Sequence, residues 1–111
     1  MNVQKGKLGE DKAYEFLIDQ GLQCVIRNYR NPLGEIDLIM TEEDILVFVE
    51  VKYRTTSKWG NPLESVDLQK QEKIKRIASW YLASCKTVPN CRFDVIGILN
   101  NQIIWVKGAF T

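Results

Sequence analysis

Asp37, Glu50 and Lys52 are the residues of this sequence whose types and spacing could do chemistry together. Asp37 lies in Gly34-Glu35-Ile36-Asp37-Leu38-Ile39, and the other two in Phe48-Val49-Glu50-Val51-Lys52. Between these runs stands the acidic stretch Met40-Thr41-Glu42-Glu43-Asp44-Ile45. Two alternating apolar runs around a polar turn predict an antiparallel β-hairpin. With the turn centred between Glu43 and Asp44, Asp37 falls opposite Glu50, and Glu35 opposite Lys52. Opposed residues share a sheet face at about 5 Å between Cβ atoms, where like charges destabilise the pair. A divalent cation offsets that repulsion best. The plainer reading is an exposed hairpin edge on which Lys52 neutralises Glu50 or Glu35. Against it, Leu46 and Phe48 share the face of Glu50 and Lys52, and Val47, Val49 and Val51 fill the other. A strand apolar on both faces is normally central in its sheet, and charges there are costly unless paired or metal-bound. Spacing by itself leaves both readings open.

The sequence contains no histidine, which removes Ser-His-Asp and Cys-His catalysis and the histidine zinc sites. A metal would be held by oxygen atoms, which points to Mg²⁺ or Mn²⁺. Cys24, Cys85 and Cys91 form no CxxC pair and predict reduced, mostly buried thiols. A length of 111 residues, 45% of them hydrophobic and 26% charged, suits one soluble α/β-sized domain over residues 1–111 with a single core. No apolar run approaches the roughly 20 residues of a membrane helix. The first residues, Met1-Asn2-Val3-Gln4-Lys5-Gly6-Lys7, lack a signal peptide's apolar stretch, and the expectation is a cytoplasmic protein. The net charge of +1 gives no global signal for nucleic acid, but its distribution does. Residues 1–51 hold 5 basic and 10 acidic side chains, whereas residues 52–76 hold 7 basic and 3 acidic. A phosphate-handling site needs both groups, carboxylates for a metal and cations for the backbone.

These residues require a scaffold. Residues 5–20 read as a helix, with Gly21 just past its C-terminus. Residues 23–29 read as a strand, Asn31-Pro32-Leu33-Gly34 as a turn, and residues 35–41 and 45–54 as the hairpin strands. Residues 55–63, with Gly60 and Pro62, read as a loop. Asp67 can cap a second helix running to about residue 84, in which Ala78, Tyr81, Leu82 and Cys85 form a core-facing stripe. Residues 92–99 and 103–107 read as strands around the turn Asn100-Asn101-Gln102. The order is αβββαββ. The second helix has the length of a crossover between parallel strands. A three-layer α/β/α domain with a mixed sheet follows.

Other candidates are placed by that scaffold. Glu10 shares a helix face with Ala13, Tyr14 and Leu17, an uncommon place for an acid; it either pairs locally near the helix start or points to the acidic face of the hairpin. Lys70 aligns with Ile74, Ile77 and Tyr81, with Gln69 and Lys73 alongside. The three could reach a scissile phosphate, and a snorkelling lysine explains Lys70 equally. Arg54 and Lys58 are candidate phosphate contacts. Trp59, Trp80 and Trp105 read as packing residues, although Trp59, in a loop beside Lys58, could stack on a base. Asp94 reads as part of a structural pair.

Taken together, Gly9-Glu10, Arg27-Asn28-Tyr29-Arg30, Gly34-Glu35-Ile36-Asp37-Leu38-Ile39, Phe48-Val49-Glu50-Val51-Lys52-Tyr53-Arg54 and Arg92-Phe93-Asp94-Val95 resemble the YraN-like family of uncharacterised bacterial proteins. That family is regarded as a group of predicted endonucleases, distantly similar to archaeal Holliday-junction resolvases. The resemblance implies the restriction-endonuclease-like PD-(D/E)XK fold. Asp37 matches the first motif acid, Glu50 and Lys52 the E-x-K pair, and Glu10 the glutamate of the first helix. Gln69 or Lys70 falls where related nucleases carry a helix residue near the phosphate. Ile36, not the motif proline, precedes Asp37. The expected function is Mg²⁺- or Mn²⁺-dependent hydrolysis of DNA phosphodiesters, branched DNA included. Asp37, Glu50 and the Val51 carbonyl would hold the metal, Lys52 would orient or deprotonate the water, and Glu10 would support the metal. A homodimer is the expected assembly. The rivals are a nucleic-acid-binding protein of the same fold that does not cut, and an interaction protein whose acid–lysine cluster is structural.

Overall fold

Each element begins and ends where its residues require. The computed structural model describes the backbone of residues 2–54 and 66–111, and the side chains of 9–53 and 66–111. Helix α1, Asn2–Asp19, buries Ala13 and Leu17, four residues apart on one face. It stops at Gly21, whose φ of 98° is open to glycine. Strands β1 (Gln23–Asn31), β2 (Gly34–Glu42) and β3 (Ile45–Arg54) follow. Helix α2, Leu68–Leu82, starts under the Asp67 cap, whose Oδ1 accepts the Lys70 N–H at 2.8 Å. Strands β4 (Cys91–Leu99) and β5 (Gln102–Phe110) complete the order αβββαββ.

The five strands lie in sequence order, with β3 in the centre. Every neighbouring pair is antiparallel except β3 and β4, which α2 joins in parallel. The two helices cover opposite faces. On the α2 face, Ile74, Ile77 and Ala78 pack with Ile39, Phe48 and Val95. On the α1 face, Ala13 and Leu17 pack with Leu38, Val47, Val49 and Ile96. The doubly apolar pattern of β3 therefore has its expected cause, a central strand covered on both sides. None of the helices in the described residues is long and apolar enough to cross a membrane.

Three sequence expectations change. The last strand does not stop at Lys107: Gly108, with φ 58°, lets a bulge carry it on to Phe110, which pairs with Phe93. That bulge serves Asp94, which is 1% exposed. Its carboxylate accepts from Arg92 Nε at 2.8 Å and Nη2 at 2.9 Å, from Trp105 Nε1 at 2.9 Å and from the Gly108 N–H at 3.0 Å. The cysteines are not mostly buried. Cys24 on the edge strand and Cys85 past α2 are half-buried, and Cys91 at the start of β4 is exposed. Trp80 is half-exposed rather than packed, unlike Trp105, which meets the Phe16 ring edge-on at 5.8 Å. The expected loop at residues 55–63, with Lys58 and Trp59, lies outside the described residues.

Candidate active site

The β2–β3 ladder runs from Glu42↔Ile45 to Leu38↔Val49 in the register expected from the turn, and it ends there. Beyond it the strands part around the Asp37 side chain. Its Oδ2 accepts the Val51 N–H at 2.7 Å, so a carboxylate stands where the next ladder carbonyl would be. The alternation of β2 breaks at the same residue. Ile36 packs on the α2 face and Leu38 on the α1 face, although two positions along a strand normally share a face. On β1 the matching irregularity is Asn28, with φ 56°, which sits between the pairs Arg27↔Leu38 and Tyr29↔Ile36. The break lets Asp37 reach Glu50 on β3 as well as Glu10 on α1.

Asp37 and Glu50 are in hydrogen-bond contact and titrate as a pair. Burial, then the hydrogen bond to Glu50 and its charge, push Asp37 up to about 9, against the Val51 N–H, which pulls it down. Burial acts on Glu50 in the same upward direction. It is outweighed by the hydrogen bond from Asp37 and by the Lys70 and Lys52 ammonium groups, so Glu50 is held below the ordinary carboxylate value. At neutral pH the pair thus shares one proton, carried by Asp37 and donated to Glu50. Burial raises Glu10 as well, against the hydrogen bond with Asp37. The Asn28 amide nitrogen donates to Glu10 Oε2 at 2.9 Å in the amide orientation that satisfies both groups.

Two lysines face Glu50, which is 12% exposed: Lys70 Nζ lies 2.9 Å from its Oε2 and Lys52 Nζ 3.9 Å. Burial disfavours the Lys70 ammonium, but the contact with Lys52 and the Glu50 carboxylate outweigh it and hold it charged. Asp37, Glu50, Lys52, Lys70 and Lys73 all line a cavity of about 270 Å³. It adjoins a groove of about 740 Å³ along α2, walled by Leu33, Asp67, Gln69, Lys70, Glu72, Lys73 and Arg76.

The structure therefore brings together Glu10, Asp37, Glu50, Lys52, Lys70 and Lys73, with Gln69 at the groove. It does not set Glu35 against Lys52. The ladder ends before that pair, and Arg30, its partner on β1, holds Glu35 at 3.0 Å. Arg54 closes β3 opposite Leu99, and its side chain is among those not described. Asn28 is the site residue that the sequence pattern missed. Asparagine's tolerance of positive φ was its only signal, inside a run that otherwise reads as strand.

The donor set fits one kind of ion. Among the described residues no three acidic, histidine or cysteine side chains converge as metal ligands. Two carboxylates do meet, Asp37 and Glu50, and a proton and the Lys70 ammonium neutralise them. Mg²⁺ is commonly held by one or two carboxylates, waters and substrate phosphate oxygens.

A family model described as uncharacterised protein family UPF0102 matches residues 9–98, a span that includes Glu10, Asn28, Asp37, Glu50, Lys52 and Lys70. Proteins carrying only the name "UPF0102 protein" are similar along nearly the whole chain. That of Shewanella amazonensis is 40% identical over 108 residues, covering 97% of this chain and 100% of its own. That of Psychromonas ingrahamii is 44% identical over 108 residues, covering 96% and 88%. That of Lachnoclostridium phytofermentans is 44% identical over 108 residues, covering 96% and 92%.

Proposed function

We propose that this chain, which belongs to the uncharacterised protein family UPF0102, is a metal-dependent endonuclease that hydrolyses phosphodiester bonds in DNA, branched DNA included. The observation that carries this reading is the pair of contacting carboxylates, Asp37 and Glu50, beside two lysines at the mouth of the α2 groove. A buried pair of acids kept only for stability gains little from such an arrangement, because burial and like-charge repulsion both disfavour the charged forms. Asp37 and Glu50 would hold Mg²⁺ or Mn²⁺, with the Val51 carbonyl as a third ligand. When bound, the ion supplies a Lewis acid for the phosphoryl oxygens and lowers the pKa of its water.

The protein's own groups do the rest. The Val51 N–H and Glu10 orient Asp37, and Asn28 orients Glu10. Lys52, 3.9 Å from Glu50, orients the attacking water or takes part in its deprotonation. Lys70, 2.9 Å from Glu50, would be available to the phosphate with Glu50 held by a metal. Gln69, Lys73, Arg54 and Lys58 position the DNA backbone without reading its sequence.

A nucleic-acid-binding protein of this fold that does not cut is the second reading, favoured by the Lys70–Glu50 ion pair, which already neutralises one ligand. A cleavage panel of junctions, flaps, single strands and duplexes with Mg²⁺ or Mn²⁺ separates the two. Metal-dependent cuts should appear in the parent and fall by about 100-fold or more in Glu50→Ala. Equal cleavage by parent and variant would place the activity elsewhere.

A further inference from the structure

On α2, Gln69, Lys73, Arg76 and Trp80 recur at spacings of four, three and four residues, so they leave the helix along one stripe. The stripe borders the core-facing residues Ile74 and Ile77. An indole so close to the core would ordinarily be packed, yet Trp80 is 51% exposed, and among the described residues its ring pairs with no other aromatic. Next to it the stripe carries two cations, Lys73 and Arg76, and it is continuous with the site. Lys73 lines both the site cavity and the α2 groove, and Arg76, in that groove's wall, precedes Trp80 by one helical turn. The facing wall is Leu33, on a β1–β2 turn that Asn31 ties to α2 by donating to the Ile77 carbonyl at 3.2 Å.

Cations followed by an exposed ring, along a groove that leaves a carboxylate site, match a single nucleic-acid strand: phosphates meet the cations and a base stacks on the ring. A duplex keeps its bases stacked on one another and presents only its backbone. From Lys70 to Trp80 the helix advances about 15 Å, or about four nucleotides of a stacked strand. We infer that Trp80 is a stacking platform for an unpaired base about four nucleotides from the scissile phosphate, so that the bound DNA carries a single-stranded segment along α2. The position of that phosphate rests on the endonuclease reading; the stacking does not.

The test measures binding with the metal chelated, apart from cleavage. The full-length protein is titrated at low salt against a labelled oligothymidylate and a duplex of equal length, read by fluorescence anisotropy. Trp80→Ala should weaken the single strand by about 5- to 100-fold and leave the duplex unchanged, while Trp80→Phe should keep most of the single-strand affinity. Unlabelled oligothymidylate should quench the parent's tryptophan fluorescence more than that of Trp80→Phe, a readout that a merely structural role would not move. Equal single-strand affinity in parent and Trp80→Ala overturns the inference. So do a parent that binds no single strand, and a Trp80→Ala variant whose only change is loss of self-association. If Trp80→Ala loses the single strand but the parent cuts nothing with any metal, the stacking site stands and the endonuclease reading falls.

Discussion

A bound cation would have to displace the proton that Asp37 carries at neutral pH. Its folded value of about 9, against an ordinary 3.8, fixes the sign of the linkage. The stability that Asp37 contributes is fully present below its ordinary value and is lost as pH rises through about 9. Melting temperatures of the metal-free parent should therefore fall, relative to Asp37→Asn, between neutral pH and about 9; parallel curves would exclude the shared proton. Loading with Mg²⁺ or Mn²⁺ at pH 7 should release about one proton and tighten as pH rises. Calorimetry in buffers of different ionisation enthalpy reads that proton, and release of none would remove Asp37 from the ligand set. Lys52 is tested by a different contrast. Lys52→Ala should retain metal binding and lose about 10²- to 10⁴-fold in cleavage rate. A variant that cuts like the parent would sink the assignment of Lys52 to the attacking water.

At the scale of elements, the site depends on where β2 separates from β3 and where the β1–β2 turn meets α2. Gly34 occupies that meeting point. A Cβ there would lie 2.9 Å from Ile77 Cδ1 and 3.3 Å from Lys73 Cε, on a backbone with φ 148°. Gly21 also has positive φ, 98°, but nothing lies within 4 Å of its missing Cβ. Gly21→Ala should cost only the backbone penalty of about 1 kcal/mol, whereas Gly34→Ala should cost more, up to about 3 kcal/mol. It should also weaken binding in the α2 groove, because Lys73 is displaced. Denaturant midpoints order the two variants, and a smaller loss for Gly34→Ala would mean that the turn and helix do not depend on that close approach.

For the whole molecule, the sheet has two edges, β1 and β5, and one candidate site near β2 and β3. One site cuts one strand at a time, and 111 residues cover a short length of DNA. Two copies would cut paired strands of a branched substrate, so we expect a homodimer, free or assembled on DNA. Light scattering at micromolar concentration, with and without a junction, checks this. A monomer in both conditions would defeat it.

The order αβββαββ and the central place of β3 were legible in the sequence; the expected register brought Asp37 toward Glu50, but the β2–β3 ladder stops one pair short of opposing them. Order, central place and register follow from local signals: alternation with period two, an acidic turn that sets register, Gly21 after one helix and Asp67 before the other. The partners of the charged groups were not legible, because they come from segments distant in sequence. Lys70, 20 residues after Glu50, forms its closest ion pair at 2.9 Å, while Lys52, two residues away, stands at 3.9 Å. Asn28 and Glu10 join the site only because β1 and β2 turn over together at Asn28 and Asp37, and no period-two pattern announces such a break. Gly108 looks like a strand end until Asp94, 14 residues earlier, needs its N–H as a buried donor. Trp80 reads as a packing residue by its size and is left half in solvent. Backbone preference and hydrophobic period act over a few residues and settle the elements; burial of charge and the final geometry of the groove depend on what packing brings alongside, which only the tertiary structure decided.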